Sequence, residues 1–346
     1  MKRMVNESSV RIILLTILTI IVFSLISFSS FAKAEEPEYT FYYVTHCLPF
    51  DPFWAAQHKG MMDACERYNI KGVYVGSKVS GDVGELLGNL ELAIAMEPDG
   101  IATVITDALP LDEPLREAIK NGIPIVASNV RDFRPPEERI PYLIYVGEDS
   151  FQSGATAADV LVKKFIEIYG RPPKASMFAI HEPGNVVQEM RAQGAMDVLG
   201  KAGVKVVEKV DVTYDPAKVQ ESIRAYLEAH PDCESIHTGN ISVAHWVVQV
   251  LEEMGKLGNI DKPAKEGNVF VAGIDTSPEG SQDIIDGNLV CTIDQQPYLQ
   301  GYMVMELLYF WNKYKLLPAN DISTGPFVVD RSNVNELLDL VKAGIR

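Results

Sequence analysis

Cysteine is scarce, with four residues in 346, so no disulfide framework organises this chain. Several motifs of enzyme chemistry are missing. No Gly-x-Gly-x-x-Gly follows the first strand-like segment, and there is no phosphate-binding loop and no Gly-x-Ser-x-Gly nucleophile turn. The six histidines show no metal-ligand spacing, although His181 and Glu182 are adjacent. These absences argue against a dehydrogenase, a nucleotide hydrolase, a serine hydrolase and a zinc peptidase, and they call for no cofactor and no metal. Positive charge is also short, at 31 Lys and Arg against 47 Asp and Glu. No Pro- or Ser-rich linker divides the chain, and no short-period repeat is present, which excludes a solenoid.

The first 34 residues read as an export signal. Lys2, Arg3 and Arg11 precede an apolar run from Ile12 to Phe28, and Ala32-Lys33-Ala34 offers small residues for cleavage after Ala34. An uncleaved membrane anchor is the alternative, since the run approaches spanning length. No cysteine follows the run to carry a lipid, so the expected location is a periplasm. Removing Lys2, Arg3, Arg11, Lys33 and Glu7 turns a net charge of −16 into −19. Such a surface repels nucleic acid and anionic lipid.

From residue 38 onward, strand-like and helix-like segments alternate. Strands are expected at 40–45, 73–75, 101–105, 124–128 and 143–147, with helices at 53–67, 83–96 and 111–121 among them. A second series follows, with strands at 175–180, 204–210, 235–238, 269–272 and 289–293. Its helices are expected at 186–199, 216–229, 243–254 and 278–285. A helix at 298–311, a strand at 326–329 and a helix at 333–342 close the chain. The pattern predicts an α/β fold of two doubly wound parallel-sheet lobes. In such sheets ligands bind beyond the carboxyl ends of the strands. The residues there include His46 to Trp54, Thr106, Asp107, Asn129, Glu148, Asp149, His181, Glu182, Tyr214, Asn240, Asp275, Asp294 and Gln295. They are rich in amides, carboxylates and aromatics, the groups that share paired hydroxyls and cover the C–H faces of a sugar.

Six strings in order carry a family resemblance. They are Asp51-Pro52-Phe53-Trp54 leading to Gly60, Pro98-Asp99-Gly100-Ile101, Gly122-Ile123-Pro124-Ile125-Val126, Tyr145-Val146-Gly147-Glu148-Asp149, Gly273 to Gly280, and Thr292 to Pro297. From about Tyr39 to Val329 the chain resembles the type 1 periplasmic binding proteins for simple sugars, the ribose-binding group. The resemblance implies three short crossovers near residues 148, 296 and 318. One lobe would then comprise 38–147 with 297–318, and the other 148–296 with 319–346. It also implies a non-enzymatic, monomeric receptor that encloses a neutral monosaccharide or polyol and hands it to the permease of an ABC transporter. A sensor of the same fold, signalling to a membrane kinase or chemoreceptor, is the alternative.

The family's sugar contacts carry over to Asp51, Phe53, Trp54, Asn129, Arg191, Tyr214, Asn240, Asp275 and Gln295. Asp51 replaces an Asn, Val130 replaces an Arg and Ile241 replaces an Asp, and the lost donors argue against ribose itself. Phe53 and Trp54 are expected to stack on one ligand face and Tyr214 on the other. Arg191 and Asp275 are expected to be ionised together. Each residue also has a structural alternative: helix packing for Phe53 and Trp54, loop packing for Tyr214, capping of helix amides for Asp275, and a solvated surface for Arg191. A glycosidase pair of Asp275 and Asp294 has no support in the surrounding sequence. A repressor with this architecture would need an N-terminal helix-turn-helix where the apolar run stands. Cys233 and Cys291 fall on strands that would not be neighbours, so no disulfide is expected.

Overall fold

The computed structural model describes residues 36–263 and 265–346. The export signal expected at 1–34 lies outside them. In chain order the elements are β1 (Tyr39–Thr45), α1 (Pro52–Tyr68), β2 (Ile70–Gly76), α2 (Val83–Ala95), β3 (Gly100–Thr103), α3 (Ala108–Lys120), β4 (Ile125–Ser128) and β5 (Tyr145–Glu148). Next come α4 (Ser150–Tyr169), β6 (Ala175–Ile180), α5 (Val186–Lys201), β7 (Val206–Asp211), α6 (Pro216–Ala229), β8 (Cys233–Thr238) and α7 (Ile241–Glu253). The chain ends with β9 (Phe270–Ile274), α8 (Pro278–Ile285), β10 (Cys291–Asp294), α9 (Pro297–Tyr314), β11 (Ile322–Gly325), β12 (Phe327–Asp330) and α10 (Val334–Lys342).

Two six-stranded sheets result, ordered β11-β5-β4-β3-β1-β2 and β12-β10-β9-β8-β6-β7. All pairings are parallel except β10 with β12. Every residue of β3, β4, β6, β8 and β9 is buried, because helices cover both faces and leave no face to water. The fold class matches expectation: two doubly wound α/β lobes.

Three features differ from the sequence reading. The 20-residue helix α4 was not anticipated. Its first half, Ser150 to Ala158, is rich in small residues and lacks a strong apolar period. Those small residues serve a close helix crossing: a Cβ on Gly154 would lie 1.8 Å from the Arg191 carbonyl oxygen, and one on Gly194 would lie 2.0 Å from that of Phe151. The first lobe repeats the device between α1 and α9, where Gly60 and Gly301 face the carbonyls of Tyr298 and Gln57. Strand β11 was also missed, being a four-residue edge strand in which only Thr324 is buried. It pairs with β5, so the third crossing falls at Gly325–Pro326 and not near 318, and residues 322–325 belong to the first sheet. All four cysteines are buried free thiols, with β9 lying between the strands of Cys233 and Cys291.

Candidate functional site

Eight of the described helices, all but α9 and α10, are capped by the side chain of the residue before them. Side chains of Asp51, Asp82, Asp107, Asp149, Asn185, Asp215, Asn240 and Ser277 each accept a hydrogen bond from a first-turn amide. This satisfies otherwise unpaired N–H groups. It also explains why polar residues cluster at the strand ends. Only some of them turn toward a common space.

All nine residues singled out from the sequence line one cavity. Asp51, Phe53, Trp54 and Asn129 come from the first lobe, and Arg191, Tyr214, Asn240 and Asp275 from the second. Gln295 sits on the segment crossing between them. Asn129 and Asp275 occupy matching places, just after β4 and β9. Both have a left-handed backbone, with φ of 59° and 74°, and each donates its N–H to the neighbouring strand, to Val146 and Ile293 respectively. Such conformations cost of order 1–3 kcal/mol and concentrate at functional sites.

Hydrogen bonds tie the two halves together. The Tyr214 hydroxyl donates to Asp51 Oδ2 at 2.7 Å, and the Ser80 hydroxyl donates to Glu182 Oε1 at 2.9 Å. Asn129 Nδ2 donates to Gln295 Oε1 at 3.2 Å, and Gln295 Nε2 donates in turn to Asp275 Oδ1. Val187, at the start of α5, is buried in the apolar cluster of the first lobe together with Phe53, Trp54 and Val130. The lobes are therefore closed on each other around the cavity.

Several expectations about individual side chains change. Arg191 is 4% exposed, which rules out the solvated-surface alternative. Its charge partner is Glu148, to which Nε donates at 2.9 Å, while Nη1 donates to the Gly239 carbonyl at 2.8 Å. Asp275 is therefore not its ion-pair mate. Burial pushes the Asp275 carboxyl up to about 7, Glu148 and Asp51 push the same way, and Arg191 only partly offsets them. Asp275 and Arg191 are thus not both fully charged at neutral pH. Asp275 does not cap α8 either, since Ser277 Oγ accepts from Gly280 there. Burial also raises the Asp51 carboxyl, against the pull of the Tyr214 hydroxyl and the Phe53 amide.

The rings of Phe53 and Trp54 meet at 82°, so a flat ligand face can lie on one and would meet the edge of the other. Both are 6% exposed and belong to the lobe core, so they pack a helix and line the cavity at once. Tyr214 is 37% exposed and rests between the rings of His181 and Trp246.

The cavity also takes in His46, Cys47, Ser80, Val130, His181, Glu182, Asn185, Val187 and Gln188. Burial holds both imidazoles below their usual range, His181 at about 4, so they are neutral walls. Burial pushes the Cys47 thiol up to about 12, which removes it as a nucleophile. Gln188 could have been found from its place three residues before Arg191 on one helix face. Among the other strand-end residues, Asp149 caps α4, Asp294 is tied to Arg346, and Thr106 and Asp107 line a separate space. Among the described residues no group of His, Cys, Asp and Glu could hold a metal ion, and no helix is long and apolar enough to cross a membrane.

Residues 42–311 match the model of the periplasmic binding protein domain. A xylose/arabinose-binding protein of Sulfolobus acidocaldarius is 27% identical over 88% of this chain and 74% of its own length. The D-allose-binding periplasmic protein of Escherichia coli is 25% identical over 75% of this chain and 80% of its own. Among solved structures, a carbohydrate transporter from Acidothermus cellulolyticus in complex with myo-inositol superposes with a TM-score of 0.76 at 26% identity, covering 90% of this chain and all of that one. None of these is an enzyme. With its two doubly wound lobes and the cavity between them, this chain belongs to the periplasmic binding protein family, as a binding protein and not a catalyst.

Proposed function

We propose that the protein captures a neutral monosaccharide or polyol between its two lobes and delivers it, as a monomer, to the permease of an ABC transporter. The observation that carries this reading is the convergence of side chains from both lobes and from a crossing segment on one cavity between the lobes. A ligand held there touches both lobes only when they are shut, so binding shifts the population toward the closed form. The lining supports neutrality. Asp51, Glu182 and Asp275 bring carboxyl groups, and the one guanidinium, Arg191, is engaged by Glu148. A carboxylate or phosphate on the ligand would meet uncompensated negative charge. Relatives named for xylose, arabinose and allose, and a neighbour solved with myo-inositol, support the same class. Under this reading residues 1–34 direct export to the periplasm and are removed after Ala34.

Thermal-shift screening against pentoses, hexoses and polyols tests it, followed by solution scattering. Ligand at a hundred times its Kd adds about 2.7 kcal/mol of stability, and enclosure should shrink the radius of gyration. Stabilisation without compaction would refute enclosure. Stabilisation by sugar acids alone would refute neutrality.

A further inference from the structure

Two imidazoles stand in the cavity wall outside the nine positions carried over from the family. His46 directly follows β1 and His181 directly follows β6. These strands hold matching places, β1 between β3 and β2 and β6 between β8 and β7, so each lobe brings one imidazole to the cavity from the same point of its sheet. Each ring packs on an aromatic that also lines the cavity. His46 meets Trp54 edge-on, with centroids 4.8 Å apart and planes at 82°, and His181 lies tilted on Tyr214 at 5.4 Å. The Nδ1 atoms of both rings are buried and find no hydrogen-bond partner among the described residues, and a polar atom left in that state is costly.

The rest of the lining has spent most of its side-chain donors. The Tyr214 and Ser80 hydroxyls and the Asn185 amide donate to Asp51 and Glu182. The Asn129 amide donates to Gln295 and Gln300, and that of Gln295 to Asp275. Arg191 turns Nε, Nη1 and Nη2 to Glu148 and Gly239. Ionised carboxylates only accept, whereas a hydroxyl both donates and accepts. A sugar held here therefore finds acceptors in plenty and few donors. Neutral imidazole supplies one of each, and burial keeps both rings neutral.

We propose that His46 and His181 are specificity-determining ligand contacts, one from each lobe, each reading one hydroxyl of the bound sugar or polyol through an imidazole nitrogen. A ligand that lacks either hydroxyl is rejected because it leaves that nitrogen unpaired in a buried wall. This rests on the sugar reading above.

Calorimetry on the whole protein tests it. D-xylose, D-arabinose, D-ribose, D-allose, D-glucose, D-galactose and myo-inositol are titrated first, then the monodeoxy analogues of the tightest. His46→Phe and His181→Phe keep a ring against Trp54 and Tyr214 and remove the nitrogens. Each should weaken the parent ligand about threefold to tenfold, the scale of one hydrogen bond. The decisive readout is coupling. One deoxy analogue should bind His46→Phe and the wild type within about twofold of each other, and a different analogue should do so for His181→Phe, because the contact removed from the protein is already missing from the ligand. A ring that only packs would instead weaken the parent and every analogue by one common factor. Where a phenylalanine variant fails to fold, leucine takes its place and the same comparison is read. A ring whose replacement weakens all ligands by a common factor, or weakens none, is refuted as a contact, and the sugar reading stands. If the wild type binds no neutral sugar, the sugar reading fails and takes this inference with it.

Discussion

Replacing Asp275 by asparagine separates what this carboxyl does for binding from what it does to stability. The side chain is 5% exposed, and burial lifts its pKa from 3.8 to about 7. The unfolded chain ionises it near 3.8, so between that value and 7 the folded state holds a proton that the unfolded state has lost. A raised carboxyl therefore supports the fold at low pH, and its contribution is lost as pH climbs from about 4 to 7. At 1.36 kcal/mol per unit, the gap is on the order of 4 kcal/mol of destabilisation in the fully ionised protein. Asparagine has nearly the same shape and no charge, and its Oδ1 can still accept from Gln295 Nε2. Urea titrations of both proteins at pH 5 and pH 8.5 measure the effect. Asp275→Asn should gain about 2–4 kcal/mol on the wild type over that range. Its affinity for the best neutral sugar should fall by on the order of 1.5–3 kcal/mol, the worth of hydrogen bonds to a charged acceptor. Wild-type affinity should itself decline below pH 7, because hydroxyl donors select the ionised form. Parallel pH slopes in the two proteins would refute the placement of this titration at Asp275.

Tyr214→Phe removes the hydroxyl that reaches Asp51 across the lobes. It should weaken binding by about 1.5–3 kcal/mol and enlarge the radius of gyration at subsaturating ligand, while far-ultraviolet dichroism is unchanged. Trp54→Ala should cost about 3–5 kcal/mol of stability as well as affinity, because the indole is core; unaltered denaturation would show that it only lines the cavity. Gly154→Val drives a side chain into the Arg191 carbonyl at the α4–α5 crossing. It should destabilise the fold by more than about 3 kcal/mol, and a variant that folds and binds like the wild type would refute that close packing. Glu148→Gln leaves the Arg191 guanidinium buried with no carboxylate partner, a loss of about 3–5 kcal/mol that equilibrium unfolding would reveal.

Much of this molecule was legible in one dimension. Apolar runs of four to seven residues alternating with helix-period stretches determined two parallel sheets, because a strand covered on both faces has to be apolar throughout. Residues at the carboxyl ends of strands could be picked out as cavity-lining because that topology leaves a crevice only there. Asp51 and Asn240 were marked as cleft residues, and the structure adds that each also caps a helix. Helix α4 escaped because its small residues answer to a neighbouring helix and to no local periodicity. Strand β11 escaped because an edge strand buries too little to leave an apolar signature. Only the tertiary structure decided which strand-end polar residues share a space. Asp149 and Asp294 look like Asp275 in sequence, yet they serve a cap and a terminal arginine. It also decided that Arg191 answers Glu148 and that Asp275 is raised to about 7. Charge state depends on burial and on partners tens to hundreds of residues away, and local sequence carries no record of either.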